Sequence, residues 1–226
     1  MNRFQRNVLP LKEVIYMEVK NKILNLEYKP GQMISETEIS ELLNVSRTPV
    51  REVFIRLSYE KLIDIYPQKG TFVSLVDLSY VKESVYMRNL LECQIASEII
   101  DSEMKDLPVE IKKNIRLQKD LVENEGNIEE FLELDNGFHK VIFKAVNHET
   151  IWDIISTTRI HYNRFRLLTM YEPEMLNRVF QEHFDIMTKI EEGDKKGCNT
   201  LLKKHHYNGL EHADILKEKY PGYFLR

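Results

Sequence analysis

The chain has 226 residues, room for one large domain or two modest ones, and is 42% hydrophobic and 30% charged. That mixture excludes a disordered or fibrous protein, and no apolar run approaches the roughly 20 residues of a membrane-spanning helix. The net charge of −4 is uneven: residues 1–76 hold 11 Lys and Arg against 9 Asp and Glu, residues 77–226 hold 21 against 27, and the two parts are expected to meet different partners.

The opening MNRFQRNVLP lacks the apolar core of a signal peptide, so a cytoplasmic protein without a membrane partner is expected. Val14, Ile15, Val19, Ile23 and Leu26 then recur at helical spacing, and EYKPGQ (27–32) ends the pattern with a Pro-Gly turn. Ser35 and Glu38 form a capping box for a second helix, which carries Ile39, Leu42 and Leu43 on one side and stops at Asn44. Ser46 is the N-cap of a third helix that runs to about Glu60. Pro49 falls in its first turn, where a missing N–H is no loss, and Val50, Phe54 and Leu57 form its inward stripe. After Leu62 the period changes to two: IDIYPQKGTFVSLV predicts two strands around a tight turn at 67–70. This order is that of a helix-turn-helix with a wing.

DLS (77–79) reads as a hinge, and six helices are predicted beyond it: 80–103, 109–124, 128–146, 149–170, 175–192 and 195–219. Pro108, Gly126, Asn147, Pro173 and Gly193 punctuate them. The expected fold is mainly α, with a winged helix-turn-helix over residues 1–76 and an all-α antiparallel helix bundle over 77–226. Cys93 and Cys198 lie far apart in helical patterns and are expected as free buried thiols.

The segment SRTPVRE (46–52) opens the helix that would enter a major groove. With Val50, Phe54 and Leu57 turned to the core, Arg47 and Arg51 face outward together. There a guanidinium can bond guanine edges or clamp phosphates. The Ser46 hydroxyl and the amides of the first turn suit a phosphate oxygen, and Lys69 and Gly70 at the hairpin tip suit a minor groove. Most arginine pairs are solvated surface charge; the capping box, helix and hairpin around this one favour DNA. PG, SRTPVRE, RL and KGTFV, in register across residues 11–76, resemble the winged helix-turn-helix of GntR-family transcription regulators. The resemblance implies operator DNA as partner and Thr37, Ser46, Arg47, Thr48, Arg51, Lys69 and Gly70 as contacts. Thr37 stands where relatives usually carry a longer polar residue, and Lys61 replaces a common glycine at the end of the recognition helix.

A second constellation lies in the helical part. Asp135 and His139, four apart in ELDNGFHK, project from one helix face, while His183 (QEHFD) and His205 (KKHHYN) lie on the last two helices. A carboxylate and three imidazoles would make a metal site with open positions, although an i, i+4 Asp-His pair is more often a surface hydrogen bond and periodicity alone does not show convergence. Residues 79–226 resemble the ligand-binding FCD domain of the FadR branch of that family. Its metal-binding members carry Asp-x-x-x-His, then EH, then a histidine 22 positions on. The resemblance implies Asp135, His139, His183 and His205 as ligands of a divalent ion, zinc foremost, with nickel or manganese as alternatives. His206 is a register alternative that the spacing disfavours, and six helices rather than seven is similar to the VanR-type subgroup.

Arg88 in YMRNLLE matches the arginine that often opens the effector pocket of such domains, its bland alternative being a surface pair with Glu92. A metal beside a cation would trap a small carboxylate, so an organic-acid effector is expected. The resemblance further implies a homodimer, more often a repressor than an activator. The rival function is a metal-dependent hydrolase built on Asp135 and the three histidines. It lacks a general base, because Glu182 adjoins a ligand but its side chain is expected to point elsewhere.

Overall fold

The computed structural model describes residues 10–102 and 109–225. The leader reading of the first nine residues and the break at Pro108 lie outside them. The chain divides into two compact units, one made of the residues up to Val76 with those from Tyr220 on, the other of Asp77–Lys219.

The first unit runs α1 (Leu11–Leu24), β1 (Met33–Ile34), α2 (Glu36–Leu42), α3 (Arg47–Tyr59), β2 (Ile63–Tyr66) and β3 (Gly70–Val73). Ile15, Val19 and Ile23 of α1 are buried with Ile39 of α2 and Val50, Val53, Phe54 and Leu57 of α3, which makes one apolar centre for three amphipathic helices. Val14 and Leu42, expected inward, are instead 49% and 59% exposed. Ser35 caps α2 by accepting from the Glu38 amide at 3.1 Å. The sheet has the order β1-β3-β2, antiparallel throughout. A strand as short as β1 has no period to read. The hairpin turn has Pro67 at its second position and Gln68 at φ 63 at its third, and the Lys69 amide returns to the Tyr66 carbonyl at 3.1 Å.

The α3 helix ends in a left-handed residue. Lys61 has φ 62; its amide donates to Ser58 and that of Leu62 to Leu57, at 3.0 and 2.9 Å. This closes the helix as glycine would, with a lysine in a conformation that crowds its Cβ. Its carbonyl accepts from Ser74 Oγ at 2.7 Å, which ties the helix end to the chain leaving β3.

The second domain was expected to extend to residue 226, but the chain end belongs to the first unit. The Val76 amide donates to Tyr223 at 2.8 Å and the Leu225 amide to Val76 at 2.9 Å, with Phe224 buried beside them. Gly222, at φ 91, makes the turn that returns this segment.

The second unit contains α4 (Leu78–Asp101), α5 (Val109–Glu123), α6 (Ile128–Ala145), α7 (Glu149–Thr158), α8 (Ile160–Met170), α9 (Met175–Glu191), α10 (Lys195–Asn208), a 3-10 turn (Gly209–His212) and α11 (Ala213–Lys219). The single helix expected over 149–170 is broken at Arg159, and that over 195–219 at Gly209. No glycine or proline marks the first break. There Ser156, Thr157 and Thr158 turn their hydroxyls back onto the carbonyls of Trp152, Ile154 and Ile155 at 2.7–2.9 Å, a bonding pattern that bends helices. The helix count therefore gives no support to a six-helix subgroup. Isoleucines 95 and 99, Phe138, Ile142, Phe143, Trp152, Ile186 and Leu202 build the core of the bundle between α4, α6, α7, α9 and α10. Cys93 and Cys198 are both free.

Candidate DNA interface and metal centre

Ser46, Arg47, Thr48 and Arg51 all lie exposed at the start of α3. Ser46 makes no cap bond with its own helix, which leaves its hydroxyl for another acceptor or donor. Thr37 is half-buried in the first turn of α2, and its carbonyl accepts from Ser40 Oγ. Lys69 is exposed at the hairpin tip, and Gly70 opens β3 at φ +121, a conformation that glycine adopts without strain. Arg51 is already paired: its Nε lies 3.2 Å from both carboxylate oxygens of Glu36. Nothing in the sequence spacing points to Glu36. An exposed pair of this kind is weak and readily exchanged for a phosphate or a base edge.

In the bundle, α6 carries Asp135 and His139 inward, α9 carries His183, and α10 carries His205. One ligand atom from each lies within 4.8 Å of all the others. Asp135, His139 and His183 are at most 2% exposed. Two of the three imidazoles have a hydrogen-bond acceptor at Nδ1. His183 faces Gln118 Oε1 at 2.8 Å, His205 faces Glu182 Oε2 at 2.9 Å, and His139 lies 2.6 Å from Glu92 Oε2 in a bent contact. A proton held on Nδ1 of His183 and of His205 leaves the Nε2 lone pair of those two rings free for a ligand. Among the described residues both ring nitrogens of His139 and Nε2 of His183 are buried without a hydrogen-bond partner, and His183 Nε2 lies 3.7 Å from Asp135 Oδ1. Phe138 stacks on His183 with centroids 4.2 Å apart and holds that ring's orientation.

The electrostatics suit ligation. Burial pushes His139 down to about 3, with Arg88 adding to it and Glu92 opposing it. Burial likewise holds His183 well below its ordinary value. Both are therefore neutral, as a metal ligand must be. Burial alone would raise Asp135, but the cations around it, Arg166 first, outweigh that and keep the carboxylate ionised. Orphaned, neutral, converging Nε2 atoms beside an ionised carboxylate fit a borderline divalent ion.

Arg88 pairs with Glu92 at i+4, at 2.8 Å, yet not at the surface: the two are 1% and 0% exposed. Removing either partner would strand a buried charge, a loss of about 3–5 kcal/mol. Arg88 also donates to the Tyr162 hydroxyl at 2.5 Å. A cavity beside the candidate metal centre is lined by Asp135, Tyr162, Arg166, Glu182 and His205 with Val85, Met170, Met175 and Val179. Arg88, bonded to the Tyr162 hydroxyl, is not itself among the lining residues. About 40 Å³ of the cavity admits a water-sized sphere, so a larger ligand must displace its walls, and methionine walls yield readily.

Sequence reasoning missed Gln118, Arg159 and Arg166 altogether. It also sent Glu182 away from the site, whereas Glu182 reaches both His205 and Asn208. His206, the register alternative, meets Glu92 Oε2 at 3.0 Å, and with Glu92 and His139 it forms a second close cluster that shares His139. Only α5, packing beside α6 and α9, brings Gln118 to this point.

Residues 11–73 match the model for bacterial regulatory proteins of the gntR family, and residues 83–208 match the FCD domain. The chain is 29% identical over 218 residues to the HTH-type transcriptional repressor RspR of Escherichia coli strain K12, covering 95% of this chain and 94% of that protein. It is 31% identical over 213 residues to an HTH-type transcriptional regulator in an unstable DNA locus of Streptomyces ambofaciens, covering 93% and 88%. The solved structure of E. coli McbR/YncC superposes with a TM-score of 0.69 at 19% identity, covering 94% of this chain and all of that one, a likeness of fold. The hydrolase alternative falls with these relationships, since the family and the relatives are transcription regulators. With a winged helix-turn-helix ahead of a helical bundle, the chain belongs to the GntR family and carries an FCD domain: it is a DNA-binding transcription regulator, not an enzyme.

Proposed function

We propose that this regulator is a cytoplasmic homodimeric repressor whose grip on operator DNA is set by a small organic acid bound at a divalent metal in the bundle. The observation that carries this reading is the convergence of three imidazoles and Asp135 beside a cavity walled by Arg166 and Tyr162. Asp135, His139, His183 and His205 would hold the ion, with zinc the best match to three nitrogens and one carboxylate and nickel or manganese as alternatives. When bound, the ion supplies a Lewis-acidic seat for a carboxylate. The protein's own residues then hold the ligand imidazoles in one tautomer, and Arg166 and Tyr162 shape the seat. The name of RspR as a repressor supports the sign.

On DNA, Arg47 and Arg51 would address the major groove, Ser46, Thr48 and Thr37 the phosphates, and Lys69 with Gly70 the minor groove. In a two-fold dimer the recognition helices must meet half-sites roughly 34–36 Å apart or a multiple of it. A ligand that binds two arrangements of the dimer unequally shifts operator affinity by the same free energy. Native mass spectrometry of protein purified without chelator tests the reading. A dimer with one metal per chain is expected, the metal vanishing in Asp135→Ala and His183→Ala. A dimer still bare after incubation with zinc, nickel and manganese would overturn the metal assignment. Operator affinity that no carboxylate alters in the metal-loaded protein would overturn the effector assignment.

A further inference from the structure

Three guanidiniums surround the Tyr162 ring. The Cζ atoms of Arg88, Arg159 and Arg166 lie 5.3, 6.0 and 5.6 Å from its centroid, and the three residues are 1%, 2% and 7% exposed. Two have carboxylate partners, Arg88 on Glu92 and Arg166 on Asp135. Among the described residues Arg159 has only weak neutral acceptors, Asn136 Oδ1 at 3.5 Å and Ser156 Oγ at 3.3 Å, and its planar group also lies over Trp152 at 4.5 Å. Four N–H-bearing nitrogens in the cluster have no partner among the described residues: Nη2 of Arg88, Nε and Nη1 of Arg159 and Nε of Arg166.

The charge count is lopsided. Two carboxylates face three buried cations, and both are also engaged with the histidine cluster. Asp135 is a candidate metal ligand, and Glu92 leans on His139 and His206. A divalent ion beside them adds to the excess. Burying an unpaired cation is costly, and a fixed, oriented fork of donors recognises a planar anion best. Burial, with Arg88 and Arg166 close by, pushes Arg159 down to about 9, as an uncompensated cation among cations should be. Tyr162 and Arg166 line the cavity, and Arg88 and Arg159 lie within 6.0 Å of the Tyr162 ring centroid, so the cluster adjoins the cavity wall.

We propose that Arg159, with the unpartnered donors of Arg88 and Arg166, seats a second acidic group of the ligand, so the effector is a dicarboxylate rather than a monocarboxylate. This rests on the proposed carboxylate seat at the metal. One carboxylate occupies that seat and the other reaches the arginines past Tyr162.

Titration calorimetry on the full-length, zinc-loaded protein with chain-matched acids tests this: malonate against propionate, succinate against butyrate, glutarate against valerate. At least one dicarboxylate should bind ten-fold or more tightly than its matched monoacid. In Arg159→Gln that preference should fall below about three-fold, and Arg159→Lys should recover part of it. If monoacids bind and no dicarboxylate exceeds its match, the second seat is refuted and the metal seat survives. If no acid of either kind binds, both fall. A preference that persists in Arg159→Gln overturns the role of Arg159. Should that variant fail to fold, by circular dichroism and zinc content, the wild-type pairs and Arg159→Lys still decide.

Discussion

Gln118 offers the sharpest test of how the candidate metal centre is built. It is fully buried on α5, accepts from His183 Nδ1 at 2.8 Å through Oε1, and donates through Nε2 to Asn114 at 2.6 Å. Replacing it with methionine keeps the volume and removes the acceptor. The proton of His183 is then free to move to Nε2, where it blocks the lone pair aimed at Asp135. Losing an outer partner of a ligand histidine typically lowers metal affinity 10- to 100-fold, about 1.4–2.7 kcal/mol. Gln118→Glu keeps an acceptor in place and should retain or tighten binding. The assay is zinc competition against a chromogenic chelator, with the melting temperature of the metal-free protein as a control for packing. Gln118→Met binding zinc within two-fold of wild type, while His183→Ala abolishes it, would show that the brace on His183 does not govern the tautomer.

Other outcomes follow from the same reasoning. Arg51→Ala should weaken operator binding roughly 5- to 150-fold if the contact is to a base. Glu36→Gln should tighten it a few-fold by releasing Arg51, and gel-shift titration at fixed salt reads both. Lys61→Gly relieves about 1–2 kcal/mol of left-handed strain and returns roughly 0.5–1 kcal/mol in chain entropy, so urea unfolding should show a small net gain, whereas Lys61→Val should be worse than wild type. Burial, with Cys93 next in effect, pushes the Cys198 thiol up to about 12. A folded value above the unfolded one means stability is intact below about 9 and falls as pH rises toward 12. Iodoacetamide at pH 8 should therefore label Cys198 slowly in native protein and quickly in urea, and rapid native labelling would contradict the burial.

Much of the first unit was legible because its signals are local. The Ser35 capping box, the stripe of Val50, Phe54 and Leu57, and the Pro67 turn each act over a few residues, and all appear where the pattern puts them. Helix ends marked by Asn147 and Gly193 were legible for the same reason, since a left-handed residue stops a helix whatever surrounds it. The break at Arg159 was not, because three hydroxyl residues bend a helix only when they bond back to its carbonyls. The return of Phe224 to Val76 was equally hidden, being a pairing across most of the chain.

The division is clearest at the candidate metal centre. The sequence by itself determined the ligand types, the shared face of Asp135 and His139, and, through family likeness, the partners His183 and His205. Only the tertiary structure decided that these four converge, that Gln118 and Glu182 accept at Nδ1 of His183 and His205, and that among the described residues Arg159 is buried without a carboxylate. The reason is physical. Helical period fixes which way a side chain leaves its own helix, whereas the protonation, charge and ligand preference of a buried group depend on neighbours that other helices supply.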